Sequence, residues 1–267
     1  MALIALLTDF GTRDEYVGVM KGVIAGVDPD IRVVDISHSI EPQNVVHGAY
    51  ILAAAVPFFP EGTVFAAVVD PGVGSRRRIL AVDHRSRRFV VPDNGLIERV
   101  IGDGSDAAVV VVENRDYFLD PVSRTFHGRD IFAPVAAHLT TGLRLTELGP
   151  PLDSDAIMTG RIPRCRLAAP DCIEGEVVAA DRFGNLMTTV DAVSIERLSR
   201  RSAGRQMVVL LADKPVGPIV ATYDQVAKYA PLAVIGSRGL LEISVNCGSA
   251  RQMFSSQQTQ AVRVQLV

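Results

Sequence analysis

Through the first half of the chain, short apolar runs alternate with amphipathic stretches: 2–7 is followed by 15–27, 31–36 by 44–56, and 63–69 comes next. Within 15–27, Val17, Met20, Val23, Ile24 and Val27 recur at helical spacing, and Asp14 stands where an N-cap or first-turn acid belongs. This alternation predicts an α/β unit with a largely parallel sheet flanked by helices. Further short strands are predicted at 79–83, 89–91 and 107–112, and a helix at 131–141. Periodicity stops across "ELGPPLDSDAIMTGRIPR" (147–164), where Pro, Gly and Asp accumulate, and the stretch reads as a linker. The pattern then turns to strands, at 173–180, 186–190, 206–211, 232–235, 241–245 and 261–267, which predicts a smaller all-β, barrel-like domain. The resulting division is an α/β domain over 1–155 and a β-barrel-like domain over 165–267.

Composition narrows the function classes. A chain of 267 residues with 48% hydrophobic content can bury one large core or two modest ones. The apolar run at 3–7 is too short to span a bilayer and lacks the basic flank of a signal peptide, so a cytoplasmic protein with no membrane partner is expected. Cys165, Cys172 and Cys247 form no CxxC pair, which fits reduced thiols and neither a disulfide framework nor a thiolate metal site. His38, His47, His84, His127 and His138 show no HxH or HExxH spacing, so no metal is indicated. A net charge of -3 gives no global attraction to nucleic acid, and the local clusters Arg76–Arg77–Arg78 and Arg85, Arg87, Arg88 read as solvated faces.

The candidate chemistry sits at strand ends. The first strand runs into Asp9 in "LLTDFGT", and 63–69 runs into Asp70 in "VVDPGVGSRRR". In open parallel sheets the crevice beyond the strand carboxyl ends is where ligands bind, so two acids delivered there suggest a site; singly, each also reads as a turn or cap residue. "DPGVGS" lacks the third glycine of a dinucleotide fingerprint and the GK[ST] of a P-loop, which leaves its glycines to allow a close backbone approach. "VVPDNGL" offers a tight turn at Asn94 and Gly95. "RTFHGRD" places His127 between Phe126 and Gly128, just ahead of a helix. In "AADRFGNLMTT" an acid again precedes an aromatic residue and a glycine: Phe183 is able to stack on a base and Asn185 to pair with a purine edge, while turn plus core is the plainer reading. "GSRGLLEISVNCGSA" supplies Ser237 and Arg238, a fitting cradle for a small carboxylate or simply a hairpin turn.

In order along the chain, "TDFG", "HSIEP", "FFPEGTVF", "VVDPGVG", "PDNGL", "FHGRDIFAP", "DRFGN" and "SRGLLEISVN" resemble one family nearly end to end: the S-adenosyl-L-methionine hydrolases, or hydroxide adenosyltransferases, relatives of the fluorinase and chlorinase. The resemblance implies water attack on C5′ of S-adenosyl-L-methionine, giving adenosine and L-methionine without a cofactor. It implies a catalytic trio of Asp70, Arg77 and His127, where the halogenases carry a tyrosine in place of Asp70 and another aromatic in place of His127. Whether Asp70 takes the proton or Arg77 holds hydroxide stays open. By the same resemblance Asp9 binds the ribose hydroxyls, Asp181 the methionine ammonium with Asp14 as a second candidate, and Ser237 and Arg238 the carboxylate. Phe183 and Tyr223 enclose adenine, Asn185 reads its edge, and Gln43 stands where the fluorinase has a tryptophan on the sugar. Tyr16 differs from the halogenases' serine, and the "DRFGN" spacing is shorter, so the amino-acid pocket departs most from the pattern. The family assembles as a homotrimer with the active site between subunits. Competing readings are a non-catalytic binding or sensing protein for the adenosyl compound, and a 5′-halogenase.

Overall fold

In the computed structural model of the chain, which describes residues 2–102, 104 and 106–267, the backbone divides into two units, Met1–Ile162 and Pro163–Val267. The first contains β1 (Leu3–Thr8), α1 (Tyr16–Val27), β2 (Arg32–Ser37), α2 (Val45–Ala55), β3 (Val64–Val68), β4 (Ile79–His84), β5 (Arg87–Pro92), α3 (Glu98–Ile101), β6 (Ala108–Val111) and α4 (Ala133–Thr140). Both β1 and β3 are buried along their whole length, as near-continuous apolar runs in the middle of a covered sheet should be. Ile4, Leu6, Ala66 and Val68 pack with Met20 and Ile24 of α1 and with Phe132, Val135 and Ala136 around α4. Fully burying one such Leu, Ile or Phe contributes roughly 1.5–3 kcal/mol.

The sheet order is β2-β1-β3-β5-β4-β6. Pairings β1–β2, β1–β3 and β3–β5 are parallel, while β4–β5 and β4–β6 are antiparallel, so the sheet is mixed and the expected largely parallel sheet is corrected. The cause is a two-residue hairpin: His84 pairs with Arg87 across Arg85 (φ 49) and Ser86 (φ 58). Positive φ at both central positions marks a type I′ turn, usually written Asn-Gly, and Arg-Ser carries no such signal. What the parallel part does for function is positional. Thr8 lies opposite Val68, so Asp9 and Asp70 leave neighbouring strands at the same sheet edge.

The second unit contains β7 (Arg166–Ala169), β8 (Cys172–Ala180), β9 (Leu186–Asp191), α5 (Ala192–Ser199), β10 (Met207–Leu211), β11 (Lys214–Gly217), β12 (Ile219–Val220), β13 (Pro231–Ile235), β14 (Leu240–Val245), α6 (Ala250–Met253) and β15 (Ala261–Leu266). Its strand path is β11-β10-β15-β8-β9-β14-β13-β12, with β7 on β8. The path begins and ends on β11 and β12, which are consecutive in the chain, so the sheet comes back nearly on itself as a barrel. The long β8 makes this curvature feasible, pairing with β15 over 172–176 and with β9 over 177–180. The unit is not all β: α5 starts at Asp191, whose side chain accepts from Ser194 N, and turns Ile195 and Leu198 inward. Eight residues give that pattern only two buried repeats, too few to stand out from the surrounding strands.

Candidate functional site

Asp70 follows β3 and begins a turn in which Gly72 N donates to its Oδ1 at 3.2 Å. Arg77 returns to it: Nε donates to Oδ2 at 2.7 Å, and Nη2 makes a second, shorter contact with the same oxygen. The ion pair is buried, with side chains 4% exposed for Asp70 and 9% for Arg77. Nη2 also meets Nδ1 of His127 at 3.0 Å, and the guanidinium carbon lies 5.6 Å from the Phe132 ring centroid. Three residues from separate parts of the sequence therefore form one carboxylate–guanidinium–imidazole line. A guanidinium only donates, so Nδ1 must accept and the ring proton is assigned to Nε2. Burial, followed by the Arg77 charge, lowers the His127 pKa below its ordinary value; Asp70, Asp130 and a backbone hydrogen bond with Ser123 oppose the shift.

Local structure supports each member. Asn94 donates through Nδ2 to Val69 O at 2.9 Å, tying down the residue immediately before Asp70. In the sequence this asparagine reads only as a turn residue. Gly74 (φ 76) approaches Arg124 so closely that a Cβ there would lie 2.4 Å from the Arg124 carbonyl oxygen, the close backbone approach anticipated for "DPGVG". His127 stands at the N-cap position of a π-helical turn, Gly128–Phe132, without a side-chain capping bond; such local widening is often found where a helix presents a functional group. Phe126 packs against Phe10 and Tyr16 with centroids 5.8 and 5.0 Å apart, linking the His127 turn to the "TDFG" loop and the start of α1.

The "TDFG" loop is held from behind. Thr8 Oγ1 lies 2.9 Å from His38 Nδ1 and accepts from Phe10 N at 3.2 Å, while His38 Nε2 faces Asp35 at 3.1 Å. Gly11 N donates to His38 O at 2.8 Å. Asp9 is half-buried and accepts from Gln43 N through Oδ2 at 2.7 Å, which leaves Oδ1 open. Gln43 and Asp9 thus come together although separate motifs carry them. Asp14 is exposed, and Glu15 rather than Asp14 occupies the N-cap of α1, with no side-chain cap bond from either; the cap reading of Asp14 is corrected. The arginine clusters are largely paired rather than simply solvated, Arg77 with Asp70, Arg78 with Asp93, Arg85 with Asp106 and Arg88 with Asp83.

In the second unit, Asp181 organises its own loop: Oδ1 accepts from Phe183 N and Asn185 N at 2.9 Å each, and Oδ2 from Asn185 Nδ2 at 3.0 Å. That leaves the Asn185 carbonyl oxygen and the second N–H of its amino group for a ligand. Phe183 (77% exposed), Tyr223 (42% exposed) and Asn185 line one open cavity of about 590 Å³ together with Ser249 and Gln252. Two aromatic side chains standing this far into solvent beside a polar amide are unusual for a packed unit and suit a flat ligand. Asp181 lines an adjoining cavity of about 640 Å³ that shares Phe183 and Ser249. Ser237 and Arg238 lie outside both linings, in the turn between β13 and β14. Among the described residues no cluster of three or more His, Cys, Asp or Glu side chains is arranged to hold a metal, and no helix is long and apolar enough to cross a membrane.

A mixed α/β unit in which Asp70, Arg77 and His127 join in one hydrogen-bonded line, and a barrel-like unit with exposed aromatics around a cavity, have the features of a protein that binds and acts on a small ligand. Models of the SAM hydroxide adenosyltransferase N-terminal and C-terminal domains match residues 4–149 and 175–263. The chain belongs to the SAM hydroxide adenosyltransferase family. It is 38% identical to the (R)-S-adenosyl-L-methionine hydrolase of Thermus thermophilus, over 99% of this chain and 100% of that protein. A fluorinase from Actinopolyspora mzabensis is more distant, 28% identical over 98% of this chain and 96% of its own length. Among solved structures, an uncharacterized conserved protein from Thermotoga maritima superposes with a TM-score of 0.87 at 35% identity, covering 98% of this chain and 99% of that one.

Proposed function

We infer that this chain is an enzyme that hydrolyses S-adenosyl-L-methionine by attack of water on C5′, releasing adenosine and L-methionine. The observation that carries the reading is the hydrogen-bonded line Asp70–Arg77–His127 in a chain whose relatives at this level of identity are named hydrolases of that compound. The substrate is a sulfonium, so its leaving group departs as neutral methionine and needs no acid. Help is required only by the nucleophile. Asp70 Oδ1 accepts only the long bond from Gly72 and keeps a lone pair for a water proton. Arg77, fixed on Asp70 and His127, supports the oxygen as negative charge develops. General-base assistance of this kind is worth about 10²–10⁴-fold, and alignment with exclusion of bulk water supplies further rate.

Asp9 with its open Oδ1 is assigned to the ribose hydroxyls, and Phe183, Tyr223 and Asn185 to adenine. The amino-acid end is assigned to Asp181 for the ammonium and to Ser237 and Arg238 for the carboxylate. Asp14, exposed and free of a capping bond, stays as a second candidate for the ammonium. The relatives' names specify the (R) form of the substrate, and the same preference is proposed here. A homotrimer in the cytoplasm, acting without a cofactor and without nucleic-acid or membrane partners, completes the proposal; light scattering of the purified chain checks the trimer.

Incubation with S-adenosyl-L-methionine in ¹⁸O-labelled water, with and without chloride, tests the reaction. The expected result is labelled adenosine beyond one equivalent and independent of chloride. Intact substrate bound without product would leave a binding protein, and a chloride-dependent 5′-chloro product would make the chain a halogenase.

The state of His127 gives the reaction a pH signature. A histidine whose pKa is lowered is neutral at pH 7, and its Nδ1 accepts from Arg77 only in that state. Protonation would put two donors and two positive charges face to face. The acid limb of kcat/KM is therefore expected to lie below the ordinary histidine range, with the rate level through neutrality. In His127→Gln, which keeps an acceptor, the part of that limb due to the imidazole should disappear. A limb at or above the ordinary histidine value, or one unchanged in the variant, would remove His127 from the trio.

A further inference from the structure

Glu242 is a buried carboxylate that none of the roles above uses. It lies on β14 between Leu241 and Ile243, in a strand buried at every position, and is itself 6% exposed. In register it faces Val234 of β13 on one side and Met187 of β9 on the other. Burying a carboxylate among apolar side chains is unfavourable unless it is paired, and replacing a buried ion pair by apolar residues is often neutral or stabilising, so packing alone does not account for an acid here. Its partner is Arg238: Nη1 donates to Glu242 Oε1 at 3.3 Å. The two ends differ in exposure, 8% for the Glu242 side chain and 31% for that of Arg238, which makes an inner anchor and an outer arm.

Two further observations give the pair a direction. Gly236, at the start of the turn that carries Ser237 and Arg238, sits against the carboxylate so closely that a Cβ there would fall 2.2 Å from Oε1 and 2.7 Å from Oε2. The seat of Glu242 thus depends on the absence of a side chain at Gly236. Burial raises the Glu242 pKa, the Arg238 charge opposes that, and the charge of Asp181 adds to it. Glu242 therefore senses both the cation assigned to the substrate carboxylate and the acid assigned to its ammonium.

We propose that Glu242 is a positioning residue of the amino-acid pocket, anchoring one N–H of the Arg238 guanidinium so that its remaining edge is presented to the carboxylate of an S-adenosyl amino acid. The proposal rests on the substrate reading above and adds a specificity element to it. One N–H anchored on a buried carboxylate holds a planar fork better than the turn alone, because Arg238 on a flexible chain would otherwise lose rotamer freedom on binding.

Calorimetric titration separates this role from a structural one. Dissociation constants for S-adenosyl-L-methionine and for its decarboxylated analogue, which keeps the ammonium and lacks the carboxylate, are measured in an Asp70→Asn background so that turnover is slow during the titration. Glu242→Gln should weaken binding of the full substrate about 10-fold or more, the loss of one charge-assisted contact, and leave the decarboxylated analogue within about 2-fold. Gly236→Ala should behave alike, since the nearest atom is the movable end of the Glu242 side chain and the fold survives its displacement. Equal losses for both ligands would show that Glu242 serves the ammonium or the fold, and unchanged affinity for both would show that it serves neither; each overturns the proposal. Tight, carboxylate-dependent binding by an otherwise wild-type chain that forms no adenosine would sink the hydrolase reading while the Glu242 comparison still decides this one.

Discussion

Asp70→Asn is expected to lower kcat about 10²–10⁴-fold while KM for S-adenosyl-L-methionine stays within a few-fold of the parent value. The substitution is nearly isosteric and keeps one oxygen to accept from Arg77, at the expense of the longer Gly72 N contact to Oδ1, so the change in the turn after β3 is small. What it removes is the negative charge and the basic lone pair available to a water proton. Because those matter most as the water loses its proton in the transition state, the loss belongs in kcat and not in ground-state binding. Initial rates of adenosine formation, with circular dichroism to show an intact fold, are the measurement. A kcat within about threefold of the parent would return Asp70 to the role of a plain Asp-Pro turn residue.

Much of this site is legible from residue order because the parallel strands carry their own signature. Apolar runs that end abruptly in Asp9 and Asp70 become β1 and β3, and their register sets the two acids on one edge. Side-chain geometry is less legible. That Arg77 would turn back onto Asp70 while its neighbour Arg78 pairs with Asp93 follows from the path of the turn after β3, which residue types alone do not determine. Asn94 is read as a turn residue because its motif is a turn; its link to Val69 O needs two loops in contact. The mixed sheet and the β10–β11 hairpin escape for a shared reason. Both hairpins close over two residues of positive φ, Arg85–Ser86 and Ala212–Asp213, that lack the glycine by which such turns are normally found. Glu242 is hidden differently: a single acid in "LLEISVN" looks like the polar face of a strand, and only burial on both sides makes it noteworthy.

Arg77→Gln should be the most damaging single change, because it acts on stability and chemistry together. Arg77 is the sole side-chain partner given to the buried Asp70 carboxylate among the described residues, and it also supplies the donor for His127 Nδ1. Removing one member of a buried ion pair leaves an uncompensated charge and typically costs about 3–5 kcal/mol, which for a chain of this size lowers Tm by roughly 10 °C. Adenosine formation should fall at least as far as in Asp70→Asn. Arg77→Lys should recover part of the stability but little of the rate, since a compact ammonium cannot contact the carboxylate and the imidazole in one plane. The decisive comparison is the double variant Asp70→Asn/Arg77→Gln. With both charges gone, the unpaired carboxylate disappears and most of the lost stability should return, a coupling readable by thermal unfolding. Activity should not return. Recovery of stability without recovery of turnover is what separates a trio that activates water from an ion pair retained for packing, and recovery of both would assign Asp70 and Arg77 to packing alone.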